Sequence, residues 1–285
     1  MTNLLKEFAD ALDEAVAEDE RRSGYPVSEW KIGGRKSKDK PAGENLDWWR
    51  AEGPVLLATY ENWLRENSIR IASIEGVPAI EYGGAVAFPS GAVVKGYIDL
   101  VVEVGDSLMV VDLKSGSRVP PGHGQLALYA TMLELLAGDR PTVGGYYMIR
   151  KGILTPPEDL SPWGVDYFDA VTQQLLAAYR ESIFIPKVDT HCVACGVAQF
   201  CHAVRGVNAD KYDTLANPSL PPLTEEDFPP HLSWSQISSW LWCGKQAELS
   251  RLRRADDKPA VYLAAGSALH TIAEQIALRH FEAQA

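Results

Sequence analysis

Residues 96–116 read GYIDLVVEVGDSLMVVDLKSG and predict a β-hairpin. Both arms are rich in valine and leucine, and Gly105-Asp106 between them suits a two-residue turn. Such a turn pairs Asp99 with Asp112 directly across the hairpin, on one face, with Cβ atoms roughly 5 Å apart. Lys114 projects from the same face, because side chains alternate along a strand. The pattern therefore predicts two carboxylates and one lysine side by side.

This pair of carboxylates predicts a metal ion. Two facing carboxylates in an apolar hairpin repel each other unless a cation lies between them. Oxygen ligands favour Mg²⁺ or Mn²⁺, which bind phosphate oxygens and lower the pKa of an attacking water. The same spacing also fits a solvent-facing hairpin with Lys114 as a surface counter-ion, since a turn longer by one residue moves every side chain to the other face. The residues alone leave both interpretations open.

The flanking sequence predicts a mixed α/β fold. Apolar periodicity predicts helices at residues 3–20, 46–66 (interrupted near Gly53-Pro54), 125–136 (ending at Gly138), 168–180, from Ser233 or Ser235 onward, and 266–281. Strands are predicted at residues 69–82, 93–104, 107–113 and 144–150. A polar, glycine-rich and lysine-rich segment at 24–44 predicts a mobile loop. The proline-rich residues 207–231 predict a linker between a core at 1–206 and a helical segment at 232–285.

Composition limits the functions that the chain can have. Its 285 residues are 46% hydrophobic and carry a formal charge of -11. No stretch approaches the roughly 18 apolar residues of a membrane helix, so we expect a cytoplasmic protein with no membrane partner. The acidity argues against extensive coating of nucleic acid but permits a local basic groove. Two basic runs are candidates, and each fits a solvated surface equally well: Lys31, Arg35, Lys36, Lys38 and Lys40, and Lys245, Arg251, Arg253 and Arg254.

The hairpin and the helix after it resemble a known family. Gly96-Tyr97-Ile98-Asp99, Val110 to Gly116 and Gln125-x-x-x-Tyr129 resemble the RecB-like PD-(D/E)XK nucleases. The resemblance implies a restriction-endonuclease-like core, in which a central mixed sheet is flanked by helices. It also implies a role for each residue of the motifs. Asp99, Asp112 and the Leu113 carbonyl would bind the metal, Lys114 would be catalytic, Gln125 and Tyr129 would contact DNA beside the active site, and Glu81 would be an additional acidic member.

The cysteines predict a second metal centre. Three of the four form the pattern Cys192-x-x-Cys195-x5-Cys201, which is typical of ligands in a reducing compartment. Members of the same family, similar to the CRISPR-associated RecB-like exonucleases, hold a 4Fe-4S cluster with such a trio and one separate cysteine. The resemblance implies that the trio and Cys243 hold a cluster that closes a helical lobe. A structural zinc is the alternative, with four cysteines or with three cysteines and His191 or His202.

Two motifs stand in an unusual order. Residues 232–249, which include Cys243, and Gly266 to His270 resemble the segments that open the family's domains, the second being a G-x-x-x-H motif whose histidine binds metal. Here both lie near the end of the chain. We interpret this order as a circular permutation, with residues 217–230 bridging the old termini. Domain swapping of residues 231–285 with a neighbouring molecule is the alternative.

Together these features predict a phosphodiester hydrolase acting on DNA. One or two Mg²⁺ or Mn²⁺ ions, held by Asp99, Asp112 and His270, would activate water, with Lys114 assisting. The resemblance suggests exonuclease action on single strands or duplex ends, in recombination, repair or phage DNA metabolism. Two alternatives are a catalytically silent subunit that binds DNA ends and a metal hydrolase for a small substrate. The sequence predicts neither the polarity of digestion nor the oligomeric state.

Overall fold

The computed structural model describes residues 3–38, 40–206, 223–254 and 258–284. The chain divides into two compact units, one formed by residues 1–83, 97–162 and 258–285 and the other by residues 84–96 and 163–257. These boundaries differ from the predicted division at 207–231, because packing rather than chain order defines a compact unit. Residues 207–222 of the predicted linker lie outside the described residues.

The described residues include seven α-helices, and each of the predicted helices is among them. Their bounds are α1 Leu4–Ser23, α2 Leu46–Glu66, α3 Gly124–Ala137, α4 Val165–Arg180, α5 Trp234–Trp242, the short α6 Gly244–Ala247 and α7 Val261–Glu282. As predicted, α3 ends at Gly138, whose φ of 77° is left-handed and suits glycine. Among the described residues no helix has the length and apolar character needed to span a lipid bilayer.

Six of the eight described strands form a mixed sheet. The strands are β1 Ser73–Ile74, β2 Val77–Pro78, β3 Ile80–Ala87, β4 Val93–Val104, β5 Ser107–Lys114, β6 Val143–Met148, β7 Ile153–Leu154 and β8 Glu158–Asp159. The sheet order is β3-β4-β5-β6-β7, with β8 also paired to β6, while β1 and β2 form a separate hairpin. β4 and β5 are antiparallel, and β6 is parallel to β5, so α3 serves as the crossover connection.

The hairpin of β4 and β5 has the predicted register. Leu100 lies opposite Val111 and Val104 lies opposite Ser107, which leaves the two-residue turn at Gly105-Asp106. Gly105 has a φ of 60°, a conformation that favours glycine. The register continues towards Asp99 and Asp112 at the open end of the hairpin.

Helices cover the central sheet, as predicted. α1, α2 and α7 pack against one another, and their buried side chains form one core with Leu100, Val111 and Leu113 of the sheet. α3 packs against β5 and β6. The prediction of a mixed sheet flanked by helices is therefore confirmed.

Two sequence predictions about the first unit are wrong. The strand predicted at 69–82 is instead the hairpin of β1 and β2 followed by the start of β3. The segment 24–44, for which mobility stays a prediction, contains a 3-10 helix at Val27–Glu29, a bridge between Lys31 and Ala260, and Trp30, which is 4% exposed. Its anchors are distant in sequence, so local composition does not reveal them.

α2 also runs through Gly53-Pro54 without a break. A proline inside a helix costs roughly 3 kcal/mol, and close packing of α1 on α2 offsets this cost. A Cβ atom at Gly53 would lie 2.2 Å from Cε1 of Phe8, so glycine permits this approach.

The second unit contains the cysteines. After α4 come three 3-10 turns at Thr190–Ala194, Ala198–Phe200 and His202–Gly206. Cys192 lies in the first turn, and Cys195 and Cys201 directly follow the first and the second. Ser233 caps α5 in a capping box with Gln236, whose Oε1 accepts a hydrogen bond from the Ser233 amide at 2.7 Å. α5 ends at Cys243.

Candidate active site

The open end of the β4–β5 hairpin brings the two predicted carboxylates together. Asp99 Oδ2 accepts a hydrogen bond of 2.6 Å from the backbone amide of Leu113, which fixes its position against β5. Asp112 is 2% exposed. A buried carboxylate beside a second carboxylate is unfavourable without a compensating cation. The hairpin therefore presents an acidic centre that the fold itself does not neutralise completely.

Lys114 is the positive charge beside Asp112. Its Nζ forms an ion pair of 2.6 Å with Asp112 Oδ2. The same Nζ donates to Gln125 Oε1 at 2.8 Å, and Gln125 Nε2 donates to the Tyr129 hydroxyl at 3.0 Å. Gln125 and Tyr129 lie one turn apart on α3 and so share a face. The sequence-predicted residues thus form one continuous network.

His270 and Glu81 complete the acidic side of the site. His270 Nδ1 lies 3.4 Å from Asp99 Oδ1, although the histidine comes from α7, far along the chain. One ligand atom each from Glu81, Asp99 and His270 lies within 4.8 Å of the other two. Glu81 has a φ of 46°, an uncommon conformation for a residue with a Cβ atom. Strained backbone of this kind is frequent at functional sites.

Electrostatics in the site favour bound cations. Burial and the charge of Asp99 raise the pKa of Glu81 to about 7. Burial and Asp99 also raise the pKa of Asp112, while Lys114 and His270 oppose this shift. Burial disfavours the charged form of His270, but its hydrogen bond to Asp99 and the surrounding carboxylates raise its pKa to about 9. These shifts reflect the mutual repulsion of the buried carboxylates, which a bound cation would relieve.

The donor set fits a divalent cation. Carboxylate oxygens and one imidazole suit Mn²⁺, and the carboxylates suit Mg²⁺. Oδ2 of Asp112, which accepts no hydrogen bond from the described residues, is an acceptor next to this group. The Leu113 amide donates to Asp99, so Leu113 lies at the site through its backbone.

The four cysteines line one cavity in the second unit. None forms a disulfide, and Cys192, Cys195, Cys201 and Cys243 share the cavity with Lys187 and Leu249. The backbone amide of Lys187 donates to Cys243 Sγ at 3.3 Å. Burial raises the pKa of Cys195, and the three other sulfur atoms contribute to the shift. The sulfur atoms do not form a tight group like that of Glu81, Asp99 and His270 in the part of the chain that the structure describes.

Sequence reasoning missed an ion pair at the edge of the site. Arg150 Nη1 and Nη2 donate to the two carboxylate oxygens of Glu44 at 3.0 and 2.9 Å, and Arg150 Nε donates to the carbonyl of Ser115 at 2.6 Å. The guanidinium lies 4.7 Å from the centroid of the Trp49 ring. Ser115 directly follows Lys114, so Arg150 positions the end of β5. No local signal could reveal a pair separated by 106 positions.

Comparisons with known proteins identify the family of the chain. The gene 69 protein of Mycobacterium phage D29 is 32% identical over 180 residues, covering 55% of this chain and 66% of that protein. The gene 69 protein of Mycobacterium phage L5 is 30% identical over 171 residues, covering 58% and 56% respectively. The matches thus span less than two thirds of either relative. No solved structure matches the chain. The family model of the PD-(D/E)XK nuclease superfamily matches residues 3–202, which include the hairpin, Lys114 and α3. Since this match covers more than half of the sequence, the chain belongs to the PD-(D/E)XK nuclease superfamily.

Proposed function

We propose that this protein is a metal-dependent deoxyribonuclease, with exonuclease action on single-stranded DNA or DNA ends. The observation that carries the proposal is the buried Asp112 carboxylate, which lies beside Asp99 and 2.6 Å from the amine of Lys114. A buried acidic pair with an adjacent lysine is costly for folding alone. It is well suited to hydrolysis of a phosphodiester.

We assign metal binding to Asp99, Asp112, His270 and the Leu113 carbonyl, with Glu81 as an additional ligand. The close approach of Glu81, Asp99 and His270 supports this assignment. A bound Mg²⁺ or Mn²⁺ would lower the pKa of a water and polarise the phosphate. The role of the Leu113 carbonyl rests on the family resemblance.

The remaining residues orient the reacting groups. Lys114, held between Asp112 and Gln125, presents its ammonium to the charge that develops on the phosphate oxygens. Gln125 fixes that ammonium, and the hydroxyl of Tyr129 fixes the amide of Gln125. Both α3 residues also face the position at which we expect the DNA backbone.

The decisive test is digestion of end-labelled single-stranded DNA with Mn²⁺, Mg²⁺ or EDTA. We expect metal-dependent cleavage by the native protein and none by Asp112→Ala. Asp106→Ala is the matched control, because Asp106 is an exposed carboxylate in the turn of the same hairpin. Absence of cleavage by the folded native protein would leave a DNA-end binding subunit as the better account.

A circular substrate tests the exonuclease part of the proposal. An exonuclease needs a strand end, so covalently closed single-stranded circles should resist digestion while linear strands of the same sequence are degraded. Cleavage of both substrates at equal rates would show an endonuclease and contradict exonuclease action.

The matched relatives support a role in phage DNA metabolism. Both are encoded by mycobacteriophages. We therefore propose that the protein acts on DNA in the cytoplasm of an infected bacterium.

We further propose that Cys192, Cys195, Cys201 and Cys243 hold a 4Fe-4S cluster. Their shared cavity and the absence of disulfides among them support this assignment. A structural zinc held by the four cysteines, or by three of them with His191 or His202, is the alternative. Elemental analysis of anaerobically purified protein distinguishes the two, since a cluster gives iron and acid-labile sulfide whereas the alternative gives zinc.

Circular permutation is our proposal for the order of the motifs. α7 packs on α1 within the same chain, and Arg279 near the end of α7 lies 3.6 Å from Glu7 near the start of α1. This proximity supports an ancestral connection between the two helices. Domain swapping of residues 231–285 with a neighbouring molecule is the alternative.

A further inference from the structure

A second cleft lies in the first unit beside the end of β5. It has a volume of about 260 Å³. Its lining includes Gly33 and Gly34 from the segment before α2, residues 115–117, which directly follow Lys114, and Tyr262 at the start of α7. Three of the lining residues are glycines, at which a ligand can approach the main chain closely. Neither the predicted metal site nor the cysteines contribute to it.

One face of α7 runs from the metal site to this cleft. Tyr262, Gly266 and His270 are spaced by four residues and therefore share that face. His270 contacts Asp99. A Cβ atom on Gly266 would lie 3.4 Å from Ser115 Oγ, and one on Gly33 would lie 2.9 Å from Cδ1 of Tyr262. Two helical turns, roughly 12 Å, separate Tyr262 from His270. A strand of DNA bound along this face would span both sites.

Contacts with distant residues anchor the wall of the cleft. Gly34 and Gly43 both have a φ of 74°, and a Cβ atom on Gly34 would lie 2.5 Å from Cγ of Glu44. Glu44 is 7% exposed and is anchored by Arg150. Because Nε, Nη1 and Nη2 of Arg150 already donate to Ser115 and Glu44, we assign to this arginine the positioning of the wall and not the binding of a ligand.

Three basic residues follow Gly34 in the segment that lines the cleft. Arg35, Lys36 and Lys38 are exposed and form no ion pair with any residue that the structure describes. In the other basic run, Lys245 and Arg253 pair with the buried carboxylate of Glu248 and Arg251 donates to Ser239, which leaves fewer charges for a ligand. In a chain of formal charge -11 the first run is therefore the better candidate for binding phosphate groups.

We infer that this cleft binds single-stranded DNA next to the scissile phosphate, with Tyr262 stacking on a base and Arg35, Lys36 and Lys38 contacting the backbone. A basic groove with an aromatic platform is the general mode of single-strand binding. The Tyr262 ring is 43% exposed, as a stacking surface must be. The small volume of the cleft fits one nucleotide of a single strand and not a duplex. Stacked nucleotides are about 3.4 Å apart along a strand. The base that stacks on Tyr262 is therefore at most about four nucleotides from the metal site.

The inference rests on the proposed nuclease function, but binding tests it separately. The affinity of a fluorescein-labelled oligothymidine is measured by anisotropy in EDTA, where metal-dependent cleavage is blocked. Tyr262→Ala should weaken binding roughly tenfold, whereas Tyr262→Phe should keep the native affinity. The triple variant R35A/K36A/K38A should reduce the slope of log K against log salt by about 0.7 for each DNA phosphate that the variant no longer neutralises.

A spectroscopic probe locates the base that stacks. With 2-aminopurine at successive positions of the oligonucleotide, native protein and Tyr262→Phe should quench the fluorescence at one position, and Tyr262→Ala should not. Leu263→Ala and Lys151→Ala are the matched controls, since both residues are exposed and lie outside the cleft. The inference is overturned if Tyr262→Ala and the triple variant bind DNA with the same affinity, salt dependence and quenching as the native protein. This holds even if the native protein cleaves DNA. If the variants bind DNA more weakly but the native protein cleaves no DNA, only the nuclease proposal is overturned.

Discussion

At the scale of single residues, the acidic centre couples folding to protonation and to metal binding. Burial and the charge of Asp99 raise the pKa of Glu81 to about 7, whereas the hydrogen bond to Asp99 and the surrounding carboxylates raise the pKa of His270 to about 9 against the opposing effect of its burial. A group whose pKa is raised by folding stabilises the protein below its ordinary pKa, and this contribution is lost as the pH rises through the raised value. Both residues therefore make the folded protein less stable as the pH rises.

We accordingly expect the melting temperature of the metal-free protein to fall between about pH 5 and about pH 9. Because metal ions need deprotonated ligands, Mn²⁺ should raise that temperature more at about pH 8 than at about pH 6. Scanning calorimetry with and without Mn²⁺ measures both effects, and Glu81→Gln should make the decrease shallower. A melting temperature of native protein that is constant over this range would contradict the assignment.

Lys114 offers a test that separates catalysis from support of the fold. Replacement by alanine should lower kcat for DNA cleavage on the order of 10²- to 10³-fold. It should not weaken Mn²⁺ binding, because the lysine charge opposes a cation beside Asp112. Cleavage assays and titration calorimetry measure the two quantities, with Lys151→Ala as the control. Equal losses of activity and of metal affinity would mean that Lys114 only supports the site.

At the scale of elements, the ion pair of Glu44 and Arg150 joins the segment before α2 to the end of β5. Both side chains are largely buried, with exposures of 9% and 18%. Burial raises the pKa of Glu44, but Arg150 and Lys40 outweigh this effect and hold it below the ordinary value. The stabilisation is therefore present above the ordinary pKa and is lost as the pH falls through the lowered one.

We expect Glu44→Gln to reduce the free energy of unfolding by about 3 kcal/mol, because it leaves the Arg150 charge buried without a partner. Glu103→Gln is the matched control. Its partner Arg70 is 76% exposed, and such surface pairs contribute less than about 1 kcal/mol. Urea denaturation near neutral pH compares the variants. Equal effects of the two substitutions would show that the Glu44 pair is not a structural anchor.

At the scale of the whole molecule, the residues of the proposed active site and the cysteines lie in different compact units. Asp99, Asp112, Lys114 and His270 lie in the first unit, and all four cysteines lie in the second. A metal centre that joins residues near 195 to Cys243 should therefore stabilise the second unit without entering the reaction.

Replacement of Cys243 by serine tests this separation. We expect faster proteolysis within residues 163–257 and loss of the bound iron, while Mn²⁺ binding by the first unit persists. Limited proteolysis with mass spectrometry and titration calorimetry provide the readouts. Ser250→Ala is a control outside the cysteine cavity. Unchanged protease resistance in the serine variant would exclude a stabilising role for the cysteine site.

Local patterns in the sequence were sufficient to predict the elements of the site. The alternation in β4 and β5, the Gly105-Asp106 turn, the Gly138 stop and the Ser233 cap all depend on interactions between near neighbours. The same periodicity predicted that Asp99 and Asp112 face each other. Interactions between residues that are close in sequence therefore specify the hairpin, its register and the positions of Asp99 and Asp112 on it.

Which distant residues meet is a property of the packed molecule. The continuity of α2 through Pro54 depends on Phe8 packing against Gly53, and the order in the segment 24–44 depends on Arg150 and on the bridge to Ala260. The two-unit division and the line from Tyr262 to His270 likewise depend on packing. The physical reason is that such contacts join residues far apart in sequence, whose combined burial outweighs the local preferences that a sequence pattern records.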